Sequence, residues 1–135
     1  MSTFRLDIVT PDRKVFSEEV EFVLARGVEG EIGVLAHHMP MVTPLKISSV
    51  KVNQGNQTRY LAVSGGFMEV SPQSVSILAQ SAEFVEEIDL DRAQRAKERA
   101  EARLREKQRE EIDALRAELA LQRAVNRIQL KQRFK

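Results

Sequence analysis

The chain has no cysteine and no tryptophan, and aromatics make up only 5% of its 135 residues. Without thiols it can have no disulfide framework, no thiolate metal site and no cysteine nucleophile. With so few rings, a core has to be filled by aliphatic side chains. No stretch approaches the ~20 consecutive apolar residues of a membrane-spanning helix. The opening segment, MSTFRLDIVT, has neither the basic start nor the long apolar run of a signal peptide, so a cytoplasmic protein, at most attached to a membrane assembly, is expected. A phosphate-binding glycine loop, a nucleophile elbow and a metal-spaced carboxylate cluster are all missing, which points to a non-catalytic role and to no metal. The two histidines, His37 and His38, are adjacent; in a strand they would point to opposite faces and could not share a metal. Glu29 and Glu31 flank Gly30 without a partner motif and read as loop charges.

A second absence divides the chain. From residue 73 to the end there is neither glycine nor proline, whereas the first half is punctuated by both. In that half, Phe4, Leu6 and Ile8 alternate with Arg5, Asp7 and Val9. Val20, Phe22 and Leu24 alternate with Glu21, Val23 and Ala25. The pattern recurs over 47–52, 58–63, 67–70 and 75–79, with breaks expected at Asn53-Gln54-Gly55-Asn56, Ser64-Gly65-Gly66 and Ser71-Pro72-Gln73. Short strands at near-regular spacing predict a flattened β-sandwich or barrel.

From Leu90 onward Ala, Leu, Arg and Glu dominate, a helix composition. Asp89 is placed to cap the first helix, with Ile88 before it as a staple. Ala93, Ala96, Ala100 and Leu104 form one apolar stripe. Ile112, Leu115 and Leu119, then Leu121, Ala124, Val125 and Ile128, form its match. Between them the run Arg105 to Glu111 has no apolar residue and no helix breaker, so an antiparallel hairpin turning near Gln108 to Glu111 and one continuous helix are both compatible with it. The fold class is therefore α+β, mainly β in its N-terminal part. The expected division is a sandwich over 1–87 and a two-helix hairpin, able to extend, over 88–135.

Charge follows the same division. Residues 1–87 carry 7 basic and 11 acidic side chains, a net −4, while residues 88–135 carry 14 and 9, a net +5. No acid follows Glu118, yet Arg123, Arg127, Lys131, Arg133 and Lys135 do. Pairing the helices as a hairpin sets Arg92 and Arg99 alongside Arg127 and Arg123. Such a cluster suits phosphate oxygens, or is an ordinary solvated pair of charged helices neutralised by Glu98, Glu101 and Glu118. A nucleic-acid-binding hairpin or an adaptor using a coiled coil are the competing readings. The first is disfavoured because Phe134 is the one aromatic after Phe84.

Particular strings then carry a resemblance. Gly30-Glu31-Ile32-Gly33-Val34-Leu35, His38-Met39-Pro40, Val63 to Val70 (VSGGFMEV) and Val9-Thr10-Pro11-Asp12 resemble the hallmark segments of the epsilon-subunit family of bacterial rotary ATP synthases. The likeness runs along the whole chain, with Ala36-His37 where the family usually has Pro-Gly. It implies a central-stalk subunit that couples proton translocation to ATP synthesis, held peripherally on the cytoplasmic face of the cell membrane. Its partners would be the gamma subunit and the ring of c subunits, with Glu31 and His38 at that contact. Its C-terminal helices would extend toward the catalytic beta and alpha subunits and inhibit hydrolysis through the basic tail of Arg123, Arg127, Lys131 and Arg133. In the ATP-binding type of the family an Ile-Asp-x-x-Arg-Ala motif holds ATP as a regulatory ligand that favours the folded-down hairpin. Here it stands as Ile88-Asp89-Leu90-Asp91-Arg92-Ala93, and the matching accessory positions are Glu83, Arg99, Arg123 and Arg127.

Overall fold

The alternation at the start of the chain matures into a strand with one buried and one open face. β1 (Phe4–Val9) buries Phe4, Leu6 and Ile8 completely while Arg5 and Asp7 face outward, as a strand's period of two dictates. A computed structural model describes residues 2–106 and 110–134. Its contacts resolve into two units, Met1–Phe84 and Val85–Lys135.

The first unit is built from β1, β2 (Lys14–Val20), β3 (Phe22–Gly27), β4 (Gly30–Val34), β5 (Met41–Gln54), β6 (Gln57–Ser71), β7 (Ser74–Ala79) and β8 (Ala82–Phe84). The strands pair in the order β2-β1-β7-β6-β5-β3-β4, all antiparallel except β1 with β7, and β8 adds to β6. Every strand contributes to a single apolar cluster, from Phe4, Val20 and Val23 through Val34, Val50, Leu61 and Ile77 to Phe84. A sheet that turns one face everywhere onto one core has folded over on itself, and this is the sandwich the turn spacing predicts.

Three local expectations give way. Ser64-Gly65-Gly66 does not end a strand: β6 runs through it, with φ of 78° at Gly65 and 121° at Gly66. Here β6 exchanges partners. Its first half pairs β8 (Leu61 with Phe84) and its second half pairs β7 (Gly66 with Ala79). A Cβ on Gly66 would lie 2.0 Å from the Leu78 carbonyl oxygen, so the crossing needs a residue without a side chain. Second, the run 20–25 is not one alternating strand. The chain bends at Glu21 and the phase inverts, so that Val20, Val23 and Ala25 are buried while Phe22 and Leu24 are only half-buried. Third, Glu31 is not a loop charge. Glu31 to Val34 belong to the edge strand β4, and Val34 is buried.

The second unit opens with a single 3-10 turn (Val85–Glu87), followed by α1 (Leu90–Leu104) and α2 (Glu111–Phe134). The helices are separate and packed on each other. Of the run in which the turn is expected, Lys107, Gln108 and Arg109 lie outside the described residues, as does Lys135 at the cationic end. Asp89 caps α1 as its residue type predicts: its backbone is extended (φ −87°, ψ 106°) and its carboxylate accepts from the Arg92 N–H at 3.1 Å. The first part of the α2 stripe is displaced from expectation, while Leu121, Ala124, Val125 and Ile128 are buried or half-buried as expected. Ala117, Ala124 and Leu130 are buried, whereas Ile112 and Leu115 are 62% and 58% exposed. The tight seam selects the smallest side chains, and the bulkier Ile112, Leu115 and Leu119 fall on the outer side.

Candidate functional site

Residues of the helical unit come together along the α1–α2 seam. Ala93 and Ala100 of α1 and Ala117 and Ala124 of α2 are all nearly inaccessible, so small side chains mark where these helices pack, with Leu104, Leu121, Val125 and Ile128 half-buried. Short side chains let the backbones approach and leave a groove of about 330 Å³. Its floor is Ala96, Ala100, Ala117 and Ala120, and its walls are Arg99, Arg103, Arg116 and Arg123.

The arginines expected to converge are thus divided. Arg99 and Arg123 line one groove, while Arg92 and Arg127 are not part of its lining. Arg92 is exposed in the first turn of α1, and Arg127 is half-buried. Ile88 and Ala93 are buried beside the Asp89 cap, so the Ile-Asp-x-x-Arg-Ala motif has an evident local task in starting α1. Glu83 sits on β8 in the other unit, half-buried. Spacing alone does not single out Arg103 and Arg116, yet a hairpin that faces Arg99 toward Arg123 carries the next arginine inward along each helix to the same groove.

The basic tail is not uniform either. The Lys131 ammonium donates to the Val85 carbonyl at 3.1 Å and the Glu86 carbonyl at 3.4 Å, tying the last turns of α2 to the 3-10 turn. The Arg133 guanidinium lies 5.0 Å from the centre of the Phe134 ring.

In the sheet unit, Glu31 is exposed on β4 opposite Arg26, 3.5 Å from its guanidinium. His37 and His38 lie beyond β4, not in a strand. His37 has a φ of 63°, the left-handed conformation that suits the glycine for which it stands. His38 turns its ring edge-on to Phe4 with centroids 5.4 Å apart, and its ring nitrogens are buried without a hydrogen-bond partner among the described residues. Among those residues no three metal-ligating side chains cluster, and no helix is long and apolar enough to cross a membrane.

A surface that the strand pattern hides crosses the outer face. Pro44 of β5 pairs with Phe67 of β6, Phe67 with Leu78 of β7, and Leu78 with Val9 of β1. Phe67 is 53% and Leu78 45% exposed, and Val42 lies exposed two residues from Pro44. Apolar side chains at outward positions of adjacent strands are the signal for it, visible only once the register is known.

Comparison with known proteins agrees with this two-part build. Residues 3–85 match the ATP synthase delta/epsilon chain β-sandwich domain, and residues 86–132 match the delta/epsilon chain long α-helix domain. The ATP synthase epsilon chain of Anoxybacillus flavithermus is 54% identical over 108 residues, covering 80% of this chain and 81% of the relative. That of Alkalihalophilus pseudofirmus is 53% identical over 104 residues, 77% and 78% of the two chains. Among solved structures, a chain of the Euglena gracilis mitochondrial ATP synthase (OSCP/F1/c-ring) superposes with a TM-score of 0.77 at 29% identity, over 93% of this chain and 79% of that one. With both units matched, the chain belongs to the delta/epsilon family of ATP synthase subunits.

Proposed function

We propose that the chain is the non-catalytic epsilon subunit of the central stalk in a bacterial rotary ATP synthase, and that its helical unit is a switch on ATP hydrolysis. The reading is carried by the alanine seam. A buried methyl contributes on the order of 0.8 kcal/mol, against 1.5–3 for a buried leucine, so the four buried alanines supply roughly 3 kcal/mol. A ligand or partner surface can offset that much. Both helices keep their internal hydrogen bonds when the hairpin opens, because no glycine or proline interrupts residues 73–135. Opening therefore removes little beyond the seam and the Lys131 contacts with the Val85 and Glu86 carbonyls.

In this reading the sandwich docks on the gamma subunit and the c-subunit ring. The apolar row Pro44–Phe67–Leu78 offers a dry contact, and Glu31 and His38 belong to the same partner surface. The opened helices reach the catalytic beta and alpha subunits with Arg123, Arg127, Lys131 and Arg133. ATP, held by Ile88, Asp89, Arg92 and Ala93 with Glu83, Arg99, Arg123 and Arg127, favours the closed hairpin. The subunit then sits peripherally on the cytoplasmic face of the membrane.

A cross-link tests the switch cleanly because the chain has no cysteine of its own. Ala96→Cys and Ala120→Cys place one thiol on each helix along the floor of the groove, and a short bismaleimide bridges them. In the reconstituted complex, bridging should raise ATP hydrolysis to the level of a complex whose subunit ends at Glu87. The unbridged variant should remain inhibited. Unchanged hydrolysis on bridging, with incorporation intact, refutes the switch.

A further inference from the structure

The outer side of α2 carries Ile112, Leu115 and Leu119, all exposed, at the three- and four-residue steps that align side chains along one helix face. Counted in sevens, Ile112 and Leu119 take a positions, and Leu115 and Gln122 take d positions. Ala117 and Ala124, buried in the hairpin, fall at f, on the far side of the helix. Packing on α1 therefore leaves the stripe open.

The flanks of the stripe are charged in a set order. Glu111 and Glu118 stand at g, and Arg116 and Arg123 at e. Among the described residues none of these four is paired with an opposite charge. Each glutamate precedes an arginine by the five residues that separate a g from the next e, the positions that meet across a parallel pair of helices. A second copy laid alongside in parallel sets Glu111 against the partner's Arg116 and Glu118 against the partner's Arg123, and two-fold symmetry repeats both pairs. An antiparallel pair sets glutamate against glutamate and arginine against arginine, which is repulsive. Isoleucine at a with leucine at d is also the combination that favours two parallel strands.

We propose that this face of α2 is a self-recognition surface, through which two copies of the chain join in a short parallel coiled coil over residues 111–123. Fewer than two heptads bury little area, so the pair is weak and forms as concentration rises. Because α2 is already helical in the hairpin, pairing does not bear the cost of helix nucleation. A paired α2 has its stripe covered, so self-association and presentation of that face to another protein exclude one another. The inference depends neither on a nucleotide nor on the switch.

Analytical ultracentrifugation of the full chain, from micromolar to millimolar concentration, should show a monomer–dimer equilibrium. L115Q/L119Q alters exposed positions and keeps helix propensity, and it should raise the dissociation constant at least about tenfold. E111R/E118R and R116E/R123E should each stay monomeric, while their equimolar mixture should dimerise, because only the mixed pair matches opposite signs along both flanks. Gln122→Cys reads the orientation, since the chain has no other cysteine. In a parallel pair the two thiols face each other at d, and oxidised glutathione should link them; an antiparallel pair centred on the stripe holds them about three turns apart, too far for a disulfide. A chain that stays monomeric throughout overturns the proposal. So does undiminished association of L115Q/L119Q with helix content retained, which places the contact elsewhere. A mixture no more associated than its components, or a dimer that Gln122→Cys does not link, likewise refutes the charge-matched parallel pair.

Discussion

Lys131→Met isolates the tie between α2 and the 3-10 turn. The substitution keeps an unbranched stem and strong helix propensity while removing the ammonium that donates to the Val85 carbonyl at 3.1 Å and the Glu86 carbonyl at 3.4 Å. Hydrogen bonds to a charged group contribute about 1.5–3 kcal/mol each when well formed. Here the donor is only half-buried, one contact is long, and both carbonyls can turn to water when it leaves. The net loss is therefore about 1–2 kcal/mol, a factor of roughly 5–30 in the ratio of open to closed ends. Hydrogen exchange on the isolated chain, read peptide by peptide, should show the last turns of α2 opening more often by that factor, with total helix content unchanged. In the assembled enzyme Lys131→Met should deepen inhibition of hydrolysis, whereas Arg133→Gln should relieve it, because Lys131 is tied to the Val85 and Glu86 carbonyls in the closed form and Arg133 lies instead against the Phe134 ring. Unaltered exchange in α2 would show that the tie contributes nothing in solution. Relief of inhibition by Lys131→Met would show that its charge matters more in the extended state.

Two glycine substitutions separate backbone preference from steric conflict. At Gly55 (φ 61°) an added Cβ meets nothing within 4 Å, so Gly55→Ala should cost only about 1 kcal/mol, the left-handed penalty. At Gly66 the same atom meets three backbone atoms of Leu78 and Ala79 within 3 Å, none of which can swing aside, so Gly66→Ala should cost over ~3 kcal/mol; equal melting temperatures for the two variants would contradict this. At the proposed nucleotide motif, Arg92→Ala should weaken ATP binding at least about tenfold by calorimetry. Asp89→Asn should keep α1 capped, so any loss of ATP affinity it shows reports a ligand contact, whereas Asp89→Ala also removes about 1 kcal/mol of capping.

Much of the architecture is legible in the order of residues, for reasons that also set the limits. Phe4-x-Leu6-x-Ile8 can be a half-buried strand and little else, and Asp89 before an uninterrupted Ala/Arg/Glu run is a helix start whatever surrounds it. Strand β4 escapes notice because GEIGV has two glycines in five residues and gains its place by pairing with β3. The passage of β6 through Gly65 and Gly66 is hidden for a related reason. Glycine signals a break locally, and only the approach of the Leu78 carbonyl shows that it preserves continuity. In the hairpin, a 3.6-residue period identifies apolar faces but does not rank them. Ile112, Leu115 and Leu119 make as good a stripe as Ala117 and Ala124 until interhelical distance selects the smaller set. Arg103 and Arg116 join the groove only after that choice.

The pairing of β6 with β8 has a mechanical consequence. Chain tension on the helical unit enters the sheet unit through Phe84, and β8 is joined to β6 over three residue pairs, whereas β5 and β6 are joined over thirteen. A short ladder yields before a long one. What delays it is the Phe84 side chain, which is wedged against Phe16 at 6.0 Å and covered by the Arg59 guanidinium at 3.6 Å. Under torque or pull, Phe84 acts as a peg. While it holds, displacement of the helices is transmitted to β6, whose other half carries Phe67 on the outer face. If it slips, three residues of strand become tether and the rest of the sheet is spared.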